Sequence, residues 1–139
     1  MTEPLRFLII DGYSKKSRDA LQAAGMTLAW KLYVGMLRVY LPDAAYDVVL
    51  PSDPAVAIPE ERELESYAGV LWTGCNLCIN DTHTESVSGQ IELARRAFRV
   101  GAPSFGSCWA LQVAVVAAVS LTSFLVAVPE GRLGRRALT

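Results

Sequence analysis

The chain of 139 residues has the length of one domain, and its 52% hydrophobic content is enough for a sizeable core. A formal net charge of −1 gives no basic surface for a phosphate backbone, so we expect no nucleic-acid partner. The first residues lack the pattern of a signal peptide and the cysteines number three, so we expect free thiols and a cytoplasmic location.

Continuous apolar runs that end in glycine or cysteine predict buried strands, and apolar residues at helical spacing predict the segments between them. In chain order we predict a strand at 5–10, a helix at 15–41, strands at 46–51 and 69–73, a helix at 86–101, a strand at 103–107 and a helix from Trp109. Gly25 weakens the middle of the first helix, and a proline-marked loop covers 52–67. This order predicts one α/β domain over 1–139 with a mostly parallel sheet.

The uncharged run at 109–128 has two interpretations. Its length fits a membrane span, and Arg132, Arg135 and Arg136 follow it as a cytoplasmic flank would. Alternatively, a buried helix leads through a turn at 120–123 into a buried strand at 124–128. We favour the second interpretation and expect no membrane partner.

Cys108 stands between two small residues, Gly106 and Ala110, where a strand is predicted to turn into a helix. Small residues two positions on either side of a nucleophile are typical of the crowded elbow of hydrolases. The N–H groups at the helix start favour a thiolate at Cys108, and the N–H groups of Trp109 and Gly74 are natural oxyanion donors. The alternative is that Cys108 is a small buried residue without chemistry.

Cys75 and Cys78 form a Cys-x-x-Cys pair, a spacing known from redox sites and from half of a zinc site. The sequence offers no second pair of ligands, and His83 cannot complete a set of four. We therefore expect no metal and no cofactor.

The segment "FGSCWALQ" at 105–112 resembles the nucleophile elbow of class I glutamine amidotransferases, whose usual form is Gly-x-Cys-x-Gly-x-Gln. "DGY" at 11–13 and "LWTGCNLCIND" at 71–81 resemble the GMP-synthase-like branch of that family, and the resemblance covers about 5–118. It implies a flavodoxin-like three-layer α/β sandwich, incomplete at the C-terminus, with a divergent tail at 119–139.

The resemblance also implies roles for individual residues. Cys108 would attack the carboxamide of glutamine, forming a glutamyl thioester and releasing ammonia. Gly74 and Trp109 would form the oxyanion hole, and Gln112 would line the substrate pocket. Ala110 replaces the usual glycine, and we have no physical account of Cys75 at its position.

Members of the family complete the site with a His-x-Glu pair downstream of the cysteine, and no histidine follows Cys108 here. The single histidine, His83, lies upstream in a polar loop, where a solvated role is the simpler expectation. We therefore interpret the chain as a truncated glutamine amidotransferase-like domain of impaired activity, so whether it is an enzyme stays open. The alternative is a non-catalytic relative that serves as an interaction module. For the domain we expect glutamine as the small-molecule substrate, and a synthetase or a second copy through 119–128 as the protein partner.

Overall fold

A computed structural model describes residues 3–127, with side chains described through residue 119. Four strands and five helices alternate along this part of the chain. They are β1 (Arg6–Ile10), α1 (Lys15–Ala23), α2 (Ala29–Tyr40), β2 (Ala45–Val49), α3 (Glu61–Leu64), β3 (Gly69–Trp72), α4 (Glu85–Arg99), β4 (Ser104–Gly106) and α5 (Trp109–Ala127).

The four strands form one sheet in the order β2-β1-β3-β4, and every neighbouring pair is parallel. β1 lies inside the sheet, where Phe7 pairs with Tyr46 of β2 on one side and with Gly69 of β3 on the other. Parallel strands share their carboxyl ends at one edge, which is where ligands bind in folds of this class. The predicted α/β fold with a parallel sheet is confirmed.

Helices cover both faces of the sheet because successive strand residues point to opposite sides. Ile9 and Leu71 pack with Val34 and Leu37 of α2 on one face. The residues of β1 and β3 that face the other way pack against α3, α4 and α5, in a larger core of Leu8, Ile10, Val70, Trp72, Leu64, Leu93, Val113 and others. The three layers are those of a flavodoxin-like sandwich.

The predicted helix at 15–41 is wrong in one respect, because it is two helices. α1 ends in a Schellman arrangement, in which Met26 N–H donates to Leu21 O and Gly25 N–H donates to Gln22 O, both at 2.9 Å. Gly25 adopts φ 73°, a left-handed conformation that costs glycine little. The glycine that was expected to weaken one helix therefore ends it.

Two further predictions need correction. The loop predicted over 52–67 contains the short helix α3. The turn predicted at 120–123 and the strand from 124 are wrong as far as residue 127, because α5 continues through Ala127. The sequence from Trp109 to Val128 contains no glycine or proline that would end a helix. The rest of the expected divergent tail, 128–139, lies outside the described residues.

The membrane interpretation of 109–128 finds no support within the described part of the chain. Across residues 3–127, no helix combines the length and the apolar character needed to cross a bilayer.

Candidate active site

Cys108 occupies the tight turn between β4 and α5, at the carboxyl edge of the sheet. Its φ of 56° is left-handed, and among the described non-glycine residues only Ala55 shares a positive value. Such a conformation is strained for a residue with a side chain and persists only when its surroundings fix it. The side chain is exposed. A strained, exposed residue at a strand-to-helix turn is the geometry of a nucleophile elbow.

The residues on either side of Cys108 explain why the turn needs small side chains. A Cβ atom on Gly106 would lie under 3.0 Å from the Cβ atoms of both Ala110 and Trp72, so only glycine fits there. Ala110 is itself buried against this glycine. The small residues predicted from the sequence are therefore required by the close approach of β4, β3 and α5.

The two expected oxyanion donors lie beside the elbow. A Cβ atom on Gly74 would lie 3.9 Å from the Cβ of Cys108, so the turn after β3 and the turn after β4 come together. Among the backbone hydrogen bonds of residues 3–127, none is donated by the N–H of Trp109 or the N–H of Gly74. Thr73 stabilises this turn, because its Oγ1 donates to Gly74 O at 2.9 Å and accepts from Gly12 N–H at 3.2 Å.

Gln112 and His83 have less definite places. Gln112 is exposed on the first turn of α5, and its backbone N–H donates to Cys108 O at 3.3 Å. His83 is exposed in the loop between β3 and α4. The pocket role of Gln112 and the solvated role of His83 stay predictions.

Tyr13 and Asp11 belong to the surroundings of the turn at Cys108, although the sequence analysis gave neither of them a role in the site. Burial raises the pKa of Asp11, whose carboxylate accepts from Tyr13 N–H at 3.0 Å and from Trp30 N–H at 3.3 Å. Burial raises the pKa of Tyr13, and negative charge on Cys75, Asp11 or Cys108 would raise it further. The phenol therefore stays protonated near both thiols. The signals in the sequence were the "DGY" motif at 11–13 and its place directly after a buried strand.

Cys75 differs from Cys108 in its environment. Burial raises the pKa of the Cys75 thiol to about 11, against a weaker opposing effect of Leu77 N–H, which donates to Sγ at 3.4 Å. At neutral pH it is a protonated thiol. Among the described residues, no group of three His, Cys, Asp or Glu side chains is arranged to hold a metal ion.

Comparison with known proteins gives one relative. No family model matches the chain, and no solved structure matches it. Over 118 residues, or 84% of the chain, it is 35% identical to gamma-glutamyl-L-1-hydroxyisopropylamide hydrolase of Pseudomonas sp. The likeness supports a place in the glutamine amidotransferase-like superfamily.

The same comparison limits what can be transferred from this relative to the chain. The match spans 38% of the length of the relative. It does not support the GMP-synthase-like branch within the superfamily, which stays a prediction from the motifs at 11–13 and 71–81.

Proposed function

We propose that the chain carries the nucleophile and oxyanion hole of a hydrolase that cleaves γ-glutamyl amides. The single observation that carries the proposal is the exposed Cys108 at φ 56° on the β4–α5 turn. The relative is named for hydrolysis of a γ-glutamyl amide, and glutamine is the simplest member of that substrate class. Glutamine itself and the GMP-synthase-like branch are the narrower form of the proposal.

The first chemical step follows from the geometry of the turn. The Cys108 sulfur attacks the amide carbonyl, and the negative oxygen that forms accepts hydrogen bonds from Trp109 N–H and Gly74 N–H. Collapse of this intermediate breaks the C–N bond and leaves a γ-glutamyl thioester on Cys108. Water then hydrolyses the thioester to glutamate.

The departing amine needs a proton, and this step is the weak part of the site. The one histidine in the sequence, His83, is exposed in its loop, and 109–139 contains none. Loss of a general acid costs roughly 10²–10⁴ in rate. We therefore propose that these 139 residues acylate Cys108 readily from reactive substrates but release ammonia from glutamine slowly.

The proposal extends to the setting of the reaction. A nucleophilic thiol and two further free thiols suit a reducing compartment, so we place the protein in the cytoplasm. A synthetase that consumes ammonia is the proposed partner of a glutamine-hydrolysing form.

Acylation can be tested with a substrate whose leaving group needs no proton. The probe is a γ-glutamyl p-nitrophenyl ester, whose leaving group departs without protonation. We expect one γ-glutamyl adduct, which peptide mapping locates on Cys108. Glutamine should compete with the ester and slow formation of the adduct, and the Cys108→Ala variant should form no adduct. Cys78→Ala is the matched control because Cys78 is also an exposed thiol. No adduct on Cys108, or equal adducts on all three cysteines, would favour a non-catalytic interaction module.

A further inference from the structure

Gln90 is a fully buried polar residue on α4, within an otherwise apolar surface that includes Val87, Ile91 and Ala94. Burying an amide without hydrogen bonds costs about 1–3 kcal/mol as measured in protein mutants, so buried amides normally have hydrogen-bond partners. Gln90 meets this requirement with one partner in its own helix and three from outside it. A buried amide with this many partners from separate segments can fix the position of the groups that it contacts.

Both ends of the Gln90 amide are hydrogen-bonded. Its Oε1 accepts from the indole Nε1–H of Trp109 at 2.8 Å. Its Nε2 lies 3.0 Å from Ser86 O, 3.2 Å from Ser52 Oγ and 3.4 Å from Gly12 O. These contacts come from the loops after β1 and β2, from the first turn of α4 and from the first residue of α5.

The packing around this amide is closed as well as hydrogen-bonded. A Cβ atom on Gly12 would lie 2.9 Å from Gln90 Oε1 and 3.0 Å from Trp109 Cδ1. Ser52 Oγ also donates to Gly12 O at 2.9 Å. Trp109 is 1% exposed, so its ring is held by packing as well as by the hydrogen bond of its indole N–H.

Trp109 connects this buried network to the reaction. It directly follows Cys108, and its backbone N–H is one of the two proposed oxyanion donors. The left-handed Cys108 needs surroundings that fix it, and a Trp109 side chain held at its far end restricts the backbone on which both groups lie. An oxyanion donor is effective only when its direction is set before the charge develops.

We infer that Gln90 is a positioning residue that holds Trp109, through the indole hydrogen bond, in the orientation that the oxyanion hole requires. The inference rests on the proposed hydrolase function. It predicts that Gln90 affects reactions that need the oxyanion hole more than reactions that need only an accessible thiol.

Two reactions of Cys108 separate these effects in the full 139-residue chain. Acylation by the γ-glutamyl p-nitrophenyl ester passes through an oxyanion, whereas alkylation by iodoacetamide does not. For Gln90→Met we expect acylation to slow by about tenfold or more, since a misdirected donor costs up to about 10²–10³. We expect the alkylation rate to change by less than about threefold. Gln22→Met, an exposed glutamine on α1, is the control and should leave both rates unchanged.

Trp109→Phe removes the donor of the same hydrogen bond, the indole N–H, and keeps Gln90. This variant replaces Gln90→Met in the test if Gln90→Met does not fold. It should produce the same selective loss of acylation. The double variant should acylate no more slowly than the slower single variant, because both changes break the same hydrogen bond between Gln90 and Trp109. Hydrogen exchange of the Trp109 indole N–H gives a readout independent of acylation, and Gln90→Met should speed it.

The outcomes separate the two proposals. Normal acylation in both single variants would overturn the positioning role and leave the proposed function intact. Equal slowing of acylation and alkylation would also overturn it, because it would indicate general disorder of the turn. Absence of acylation in the wild-type chain would overturn the proposed function, and the positioning role with it.

Discussion

Gly106 and Ala110 approach so closely across the turn between β4 and α5 that a Cβ atom on the glycine would overlap the alanine methyl group. Trp72 closes the same space from β3. The carboxyl edge of the sheet is therefore held by contacts that allow no added atom, and Cys108 sits directly beside them.

Gly106→Ala should destabilise the fold by about 1–3 kcal/mol, because overpacking at a tight contact forces the backbone to move. Gly35→Ala is the matched control, since a Cβ atom on this α2 glycine would meet nothing within 4 Å. That change should stabilise the fold by about 0.5–1 kcal/mol. Urea unfolding measures both, and equal effects of the two substitutions would contradict the packing argument.

Cys108 should be alkylated by iodoacetamide at least tenfold faster than Cys75 near pH 8, because burial raises the pKa of Cys75 to about 11 and leaves it protonated. The Cys75 rate should rise about tenfold for each pH unit from 8 to 10 and level off near 11. The position of Cys108 at a helix start predicts that it also reacts faster than the exposed Cys78. Peptide mapping after brief labelling at several pH values tests both expectations, and equal labelling of all three thiols would refute them.

Stability should fall in alkali through Tyr67. Burial, with the hydrogen bond from its hydroxyl to Asp47 at 2.9 Å, raises the pKa of Tyr67 to about 12. Between pH 10 and 12 the unfolded chain loses this proton while the folded chain keeps it, so deprotonation favours unfolding by about 2 kcal/mol across that range.

The check is urea unfolding from pH 8 to 12 in a Cys75→Ala background, because Cys75 has an effect of the same sign between about pH 9 and 11. Tyr67→Phe in that background should flatten the decline above pH 10. Its stability at pH 8 should be lower, since Asp47 loses a partner. An unchanged alkaline decline would show that other groups cause it.

Self-association is expected at the outer edge of the sheet. Within the described residues β4 pairs only with β3. Phe105 of β4 and Leu111 of α5 are exposed and line one cleft, and Val115 and Val119 of α5 are exposed as well. Exposed strand edges and apolar patches tend to pair with other chains. Leu111→Lys should lower the average mass in sedimentation at high protein concentration, whereas Leu32→Lys, an equally exposed leucine on α2, should not. A wild-type chain that stays monomeric would contradict the prediction.

The strands and the tight turn at Cys108 could be predicted because their signals are local. Apolar runs located all four strands, and the small residues around Cys108 predicted a crowded turn. The end of α1 at Gly25 was not predicted, because only the left-handed backbone of this one residue separates a helix end from a continuous helix. Gln90 was missed for a different reason: its partners lie up to 78 residues away in the sequence. A polar residue on the buried face of α4 was the one available hint.

The strand order has a consequence for how the chain is made. β1 is synthesised first, but its place in the sheet is complete only after β3 has left the ribosome. The contact of Gly12 with Thr73, for example, joins residues that are 61 positions apart. At a synthesis rate of about 5–20 residues per second this delay lasts several seconds, during which the apolar strand β1 cannot pair with β3. Pairings this distant in sequence also slow folding, since loop closure must precede them. The turn that carries Cys108, which packs on Trp72 of β3, is therefore among the last parts of the molecule that can form.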